Sequence, residues 1–168
     1  MAAPAAQTAP KEVKIDALDE KILEELSKDA RQSFRHLAIA VGSSPATVIQ
    51  RVKRMEHESL IVGYSPVIDY EKLGTDFEAF IEVTITKGAL LEVQRRISML
   101  PGVVSVYDVT GESDSFVMAR CKSRTEFSNL VKRILAIPEV QRTNTHVILN
   151  VVKEYYRLVL EEAKKPRA

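Results

Sequence analysis

An internal repeat restricts the fold of this chain more than any other feature. The segment ISMLPGV (residues 97–103) aligns with ILAIPEV (residues 134–140) at an offset of 37 residues. Each copy ends a helical run at a proline and then enters an apolar segment that is typical of a strand. Two tandem β-α-β units of this kind predict a ferredoxin-like β-α-β-β-α-β domain, in which both helices cover one face of the sheet.

The strands of this domain follow from side-chain periodicity. From Phe77 to Thr86 apolar and polar residues alternate, which indicates a strand with one buried face. Further strands are expected over 103–110, 115–121 and 140–152. Helices are expected over 89–100 and from 124 to the residue before Pro138. In the third strand, Phe116 and Met118 fall on the face opposite Val117. Because a sheet that is apolar on both faces needs a second covering layer, we expect dimerisation through its open face.

The N-terminal third of the chain predicts three short helices. The first begins at Asp16, the second is capped by Ser33 and ends at Gly42, and the third starts at Ser44 with Pro45 in its first turn. A glycine-containing turn between the second and third helices is the layout of a helix-turn-helix. In that layout the third helix enters the DNA major groove and the second crosses the backbone.

The third predicted helix has one apolar face and one face suited to DNA. Val48, Val52 and Met55 recur at i, i+4 and i+7, so they share the buried face. The opposite face carries the side-chain types that pair with bases. We expect direct readout by Ala46, Thr47, Gln50 and Arg51, phosphate contacts by Arg31, Arg35, Lys53 and Arg54, and a place at the same interface for the helix-starting Ser33 and Ser44. The alternative is an ordinary amphipathic helix with a solvated basic face.

Charge is patterned although it balances overall. The 168 residues include 24 Lys and Arg against 23 Asp and Glu, a formal net charge of +1. From Arg31 to Met55 all five charged residues are basic, whereas the flanking segments are rich in acidic residues. A local positive face of this kind is what contact with DNA phosphates requires.

Several other classes of function find no support in the sequence. The single cysteine, Cys121, excludes an internal disulfide and a multi-thiolate metal site. The three histidines are scattered and no cofactor or nucleophile motif is present, so we expect no cofactor, no metal and no catalytic residue. No segment is apolar enough to span a membrane, and residues 2–10 lack the features of a secretion signal. We therefore expect a cytoplasmic, nucleoid-associated protein with no membrane partner.

The two predicted domains together resemble the Lrp/AsnC (feast/famine) family of prokaryotic transcription regulators over about residues 15–153. LDEKIL at 18–23 is similar to the family's LDxxIL, and RQSFRHLA at 31–38 is similar to RxSxxxLA. SPATVIQRVKRME at 44–56 is similar to SPxxVxxRVKRLE. SLIVGY at 59–64 is similar to GxIxGY, with Ser59 at the usual glycine, and RTNT at 142–145 is similar to RTxT.

The resemblance implies an effector site, usually for an amino acid, beside a turn of pattern GDYD between dimers. This chain has GESD at 111–114: Glu112 keeps the charge and Ser113 replaces the aromatic residue. The implied site comprises Gly111, Glu112, Asp114, Thr143 and Thr145. The Asp114 carboxylate would face the ammonium group of the amino acid, while backbone amides and threonine hydroxyls would bind its carboxylate. The alternative is an ordinary charged β-turn.

The resulting plan is an α+β protein in five parts. Residues 1–14 are expected to form a disordered tail, 15–61 a three-helix helix-turn-helix domain, and 62–76 a linker with a short strand. Residues 77–153 are expected to form the ferredoxin-like effector-binding and oligomerisation domain of the RAM/AsnC type, and 154–168 a short helix and tail. The resemblance also implies a homodimer that assembles into tetramers or octamers.

The main hypothesis is a sequence-specific regulator that binds near-palindromic double-stranded DNA and responds to a small molecule such as an amino acid. One alternative is a nucleoid-type architectural protein with low sequence specificity and no effector. A second is an enzyme, because sirohaem decarboxylases have a similar layout, but the sequence has no phosphate-binding loop or nucleophile–base motif. RNA binding is disfavoured because the stacking aromatics of an RNA-recognition motif are missing.

Overall fold

The computed structural model describes residues 12–75 and 77–152, which belong to two compact units. The first unit extends to Val67 and the second begins at Ile68, inside the predicted linker. The tail expected over 1–14 lies mostly outside the described residues, and the short helix expected over 154–168 lies outside them entirely. Within the described ranges, no helix combines the length and the apolar character needed to cross a membrane.

The first unit contains the three expected helices, α1 (Ala17–Lys28), α2 (Phe34–Val41) and α3 (Pro45–His57). Asp16, Ser33 and Ser44 cap them through their side chains. Gly42 ends α2 in the left-handed conformation, with φ of 69°. The buried side chains that join the helices are Ile22, Leu37, Ala38, Val41, Val48, Val52 and Met55. The predicted helix-turn-helix is therefore confirmed.

The predicted linker, residues 62–76, contains no strand in its described part. It has only a short 3-10 helix, Glu71–Leu73, so the short strand expected within 62–76 is wrong for the single chain. A strand needs a neighbour for its backbone groups, and Pro66 has no amide proton to donate. Tyr70, within this segment, instead makes a cation–π contact with Arg120, whose guanidinium carbon lies 3.8 Å from the centre of the tyrosine ring.

The second unit has the predicted β-α-β-β-α-β order. Its elements are β1 (Phe77–Ile85), α4 (Leu90–Ser98), β2 (Val103–Asp108), β3 (Ser115–Cys121), α5 (Arg124–Leu135) and β4 (Val140–Val147). The antiparallel sheet has the order β2-β3-β1-β4. This arrangement confirms the ferredoxin-like domain and the α+β class.

The internal repeat appears as a repeated turn after each helix. Both copies make the same two backbone hydrogen bonds. In the first copy the Leu100 amide donates to the Ile97 carbonyl and the Val103 amide to the Leu100 carbonyl. In the second copy the Ile137 amide donates to the Ile134 carbonyl and the Val140 amide to the Ile137 carbonyl. β4 stops at Val147, earlier than the expected residue 152. One further backbone hydrogen bond, from the Ile148 amide to the Glu78 carbonyl at 2.9 Å, continues its pairing with β1.

The two faces of the sheet differ in what covers them. On one face, Ile81 and Val117 are fully buried under α4 and α5. On the other face Phe80 pairs with Met118, and Phe116 pairs with Tyr107. These four side chains are half-buried or exposed, so β3 carries apolar residues on both faces, as expected. We call the face that bears Phe80, Tyr107, Phe116 and Met118 the open face.

Candidate DNA-binding surface and effector turn

The N-terminal part of α3 presents a polar outward face. Ala46, Gln50 and Lys53 are exposed, and Thr47 is half-buried. The Ser44 hydroxyl accepts a hydrogen bond from the Thr47 amide at 3.1 Å and lies 2.8 Å from the Thr47 hydroxyl. The cap therefore holds Thr47 in place, and the structure brings together five of the predicted DNA contacts, Ser44 included.

Two further predicted contacts, Arg51 and Arg54, are engaged within the domain. Arg51 Nη1 lies 2.6 Å from Asp16 Oδ2 and 3.2 Å from Asp19 Oδ2. Arg54 Nη2 lies 2.5 Å from the same Asp19 oxygen. Asp19 is fully buried, with no side-chain exposure. Sequence analysis did not identify these contacts of Asp19, since nothing local links it to residues more than thirty positions away.

These contacts shift the protonation of Asp16. Its carboxylate accepts hydrogen bonds from the Asp19 backbone amide and from Arg51, which lowers its pKa from the ordinary 3.8 to about 2. The Asp16 carboxylate in turn raises the pKa of Arg51. Both groups are therefore charged throughout the physiological pH range.

The start of α2 supplies the remaining predicted contacts. Ser33 caps α2 by accepting a hydrogen bond from the His36 amide at 3.2 Å. Arg31 is exposed, with its Nε 3.8 Å from Asp29, and Arg35 is exposed without an ion pair among the described residues. Two cations and the free amides of a helix start thus lie at one end of α2, an arrangement that suits a phosphate.

The predicted effector turn is tied to the end of β1. The Ile85 amide donates to Asp114 Oδ2 at 2.7 Å, and the Asp114 amide donates to the Val83 carbonyl at 3.1 Å. One carboxylate oxygen of Asp114 therefore has a structural partner. Gly111 and Glu112 remain exposed at the tip, and Gly111 has φ of 133°, which favours glycine.

The two predicted threonines lie on the other side of β1 from this turn. Thr143 pairs with Val83 and is half-buried, whereas Thr145 pairs with Ile81 and is exposed. Val83 also pairs with Ser115, the first residue of β3 after the turn. The turn and Thr143 thus reach the same end of β1, about 10 Å apart at the usual strand spacing, and Thr145 lies farther along.

Beside the turn lies a polar cluster that sequence analysis did not identify. The buried Ser113 hydroxyl donates to Glu82 Oε2 at 3.0 Å, and Glu82 Oε1 lies 2.8 Å from His146 Nε2. Hydrogen bonds from His146 and Ser113 lower the pKa of Glu82. The strand register brings these residues together, and no local sequence pattern predicts the cluster because its members are far apart in the chain.

A groove in the second unit lies away from the predicted effector residues. It encloses about 480 Å³ and is lined by Arg96, Met99, Leu100, Arg133, Ala136 and Ile137. These residues are three pairs at the repeat offset, so the groove follows from the internal repeat. Across the described ranges, no three His, Cys, Asp or Glu side chains are grouped to hold a metal ion. Cys121 is buried in the core.

Comparison with known proteins yields matches for both units. Residues 15–56 match the family model of the AsnC-type helix-turn-helix domain, and residues 78–158 match that of the Lrp/AsnC ligand binding domain. An uncharacterized HTH-type transcriptional regulator of Pyrococcus horikoshii is 39% identical over 87% of this chain and 99% of its own length. The leucine-responsive regulatory protein of Escherichia coli is 30% identical over 88% of this chain and 92% of its own.

Solved structures with the same fold have comparable coverage. A transcriptional regulator of Neisseria meningitidis, crystallised as a complex with L-Met, has a TM-score of 0.83 at 27% identity, covering 89% of this chain and 99% of that one. AsnC of Escherichia coli has a TM-score of 0.80 at 29% identity, covering 85% of this chain and 97% of that one.

Proposed function

Because the chain belongs to the Lrp/AsnC family of transcriptional regulators, whose members bind DNA through a helix-turn-helix and are not enzymes, we propose that it is a sequence-specific regulator modulated by an amino acid. The observation that carries this proposal is the outward face of α3, where small, amide and cationic side chains are exposed. These are side-chain types that discriminate bases in the major groove.

The proposed contacts divide into two groups. Ala46, Thr47 and Gln50 read base edges, because they lie on the outward face of α3. Phosphates are bound by Arg31, Arg35 and Lys53, and by the free amides at the starts of α2 and α3 beside Ser33 and Ser44. A dimer presents two copies of α3 to half-sites roughly 34–36 Å apart, so the site is nearly palindromic. Binding to chromosomal DNA places the protein at the nucleoid.

Fluorescence anisotropy tests this proposal with a duplex selected from a random pool and a scrambled duplex, each at two salt concentrations. We expect the selected duplex to bind at least about 10³-fold more tightly. Gln50→Ala should relax preference at one base position by roughly 1–3 kcal/mol, whereas Lys53→Ala should weaken both duplexes and lower the salt slope by about one. Similar affinities of the wild-type protein for both duplexes would identify an architectural DNA-binding protein instead.

For the effector we propose an α-amino acid beside Gly111, Glu112 and Asp114, with Thr143 and Thr145 as further contacts. The L-Met bound to the meningococcal relative supports this ligand class. The exposed tip of the turn supports the position. Isothermal titration calorimetry with individual amino acids tests binding, and an effector-dependent change in DNA affinity tests regulation. Absence of binding by all twenty amino acids would remove this part of the proposal.

We also propose that the open face pairs with the open face of a second copy. The exposed fractions of Phe80 and Tyr107 are 37% and 53% in the single chain, a large apolar exposure for one sheet face. A second copy seated on this face buries these rings. Dimers of this kind are then the units of the tetramers or octamers that the family resemblance implies.

A further inference from the structure

The first turn of α1 holds α3 through one buried carboxylate. Asp19 Oδ2 accepts hydrogen bonds from the Asp16 amide at 3.0 Å, from Arg51 at 3.2 Å and from Arg54 at 2.5 Å. Asp16 also accepts a hydrogen bond from Arg51, at 2.6 Å. We call these four residues (Asp16, Asp19, Arg51 and Arg54) the Asp19 clamp.

Burial makes Asp19 dependent on the partners that the clamp supplies. Asp19 has no side-chain exposure, whereas Arg51 and Arg54 retain 30% and 37%. A buried carboxylate without partners is strongly unfavourable, and in the folded domain its partners are the two guanidinium groups and the Asp16 amide. The two helices therefore pack with one polar contact in addition to their apolar core.

The clamp restricts the orientation of α3 in a way that its apolar stripe does not. Val48, Val52 and Met55 form an apolar stripe whose burial is a non-directional interaction, whereas the hydrogen bonds of the clamp have preferred angles. Arg51 and Arg54 are three residues apart, so they attach adjacent turns of α3 to one point on α1. Two attachments to one fixed atom oppose both rotation of α3 about its axis and sliding along it.

The clamp also neutralises the charges that it uses. Two carboxylates face two guanidinium groups, and Arg54 Nε lies a further 3.9 Å from Glu58. These arginines consequently add little to the positive potential felt by DNA, in contrast to the exposed Lys53, for which the described residues provide no ion pair.

We propose that Asp19 is a positioning residue for DNA recognition, and that Arg51 and Arg54 act through it to orient α3 rather than by contacting DNA. This proposal rests on the proposed function and narrows its set of DNA contacts to the exposed residues of α2 and α3. Sequence discrimination then depends on the clamp, because a rotation of α3 displaces every base-reading side chain together.

The test compares Asp19→Asn, Arg51→Lys and Arg54→Lys with Gln50→Ala and Lys53→Ala as controls on the outward face of α3. Affinity is measured per folded molecule for the selected duplex, for each single-base variant of it and for the scrambled duplex, across a salt series. We expect each clamp variant to lose about 10-fold or more in discrimination, spread over several base positions, with a salt slope within about half a unit of wild type. The controls should instead relax one position or lower the slope by about one.

Three outcomes overturn the proposal. Relaxation at one base position by Arg51→Lys would make Arg51 a base reader. Because lysine keeps the charge, Arg51→Gln is measured as well, and a salt slope lower by about one in that variant would make Arg51 a phosphate contact. A lower melting temperature with unchanged discrimination would make the clamp purely structural. Since Arg51 and Arg54 are partly exposed, their lysine variants still decide the matter if Asp19→Asn does not fold. The wild-type protein is measured before any variant. If it does not discriminate between the selected and the scrambled duplex, the proposed function itself is wrong.

Discussion

Two residues at helix ends, Asp16 and Ser59, have local contributions that substitution can test. Asp16 is both the cap of α1 and a partner of Arg51. Ser59, which follows the end of α3, has φ of 58° and is the one residue other than glycine with a positive φ in the described chain. Asp16 affects stability through its charge, so its effect depends on pH. Ser59 affects stability through its backbone conformation, so its effect is measured by replacing it with glycine.

The Asp16 contribution should depend on pH. Its pKa is lowered in the folded state to about 2, so its stabilisation is fully present above the ordinary value of 3.8 and is lost as pH falls through about 2. We expect Asp16→Asn, which can still cap α1, to melt at a lower temperature than wild type from pH 5 to 7. The difference should shrink as pH falls below 3.8 and should vanish only below about 2. Circular dichroism melts across this range measure it, and a constant difference at every pH would contradict the assignment.

Replacing Ser59 by glycine should stabilise the helical domain. The left-handed conformation costs a residue with a side chain roughly 1–2 kcal/mol, and glycine removes this cost. Glycine also raises the conformational entropy of the unfolded chain, which offsets part of the stabilisation. We expect Ser59→Gly to raise the free energy of unfolding in urea by about 0.5–1 kcal/mol. Ser59→Val is the matched control and should be destabilising. A destabilised Ser59→Gly variant would show that the serine side chain itself is required.

Among the structural elements, the turn between β2 and β3 combines a structural and a proposed ligand-binding role in one residue. Asp114 receives the Ile85 amide through one carboxylate oxygen, and the effector proposal also uses its charge. A substitution that removes both properties cannot separate these roles. The structure therefore indicates which variants are informative.

Asp114→Ala should destabilise the second unit, whereas Asp114→Asn should not. Alanine leaves the Ile85 amide without its acceptor, which costs about 1–3 kcal/mol when the group is not reached by water. Asparagine keeps a carbonyl oxygen at that position but has no charge to offer an ammonium group. Urea denaturation measures the first effect and calorimetry with amino acids the second. Unchanged amino-acid binding by Asp114→Asn would remove Asp114 from the effector site.

For the protein as a whole, the open face determines the expected assembly. We expect Phe80→Glu to weaken self-association by at least about 100-fold, because a buried unpaired charge costs several kcal/mol and each 1.4 kcal/mol is tenfold. Leu91→Glu is the matched control, because Leu91 is exposed on α4, which covers the other face of the sheet. Size-exclusion chromatography with light scattering measures the mass of each variant, and an unchanged oligomer for Phe80→Glu would place the interface elsewhere.

The sequence alone determined the elements and their order. Helix caps at Asp16, Ser33 and Ser44 act on amides two or three residues away, and strand periodicity repeats every two residues, so both are encoded locally. The internal repeat extended that local information to a sheet topology. The resemblance to a family supplied the functional hypothesis.

Only the tertiary structure decided which side chains are available for function. Arg51 and Asp19 are 32 residues apart in the chain, and Ser113 and Glu82 are 31 apart, so no local pattern could reveal either contact. The predicted linker strand was wrong for a related reason, because a strand exists only where another backbone pairs with it. The polar contacts described here join residues that are distant in the chain, so they form only when the elements pack. Helix caps and strand periodicity depend on residues a few positions apart, so the sequence alone reveals them.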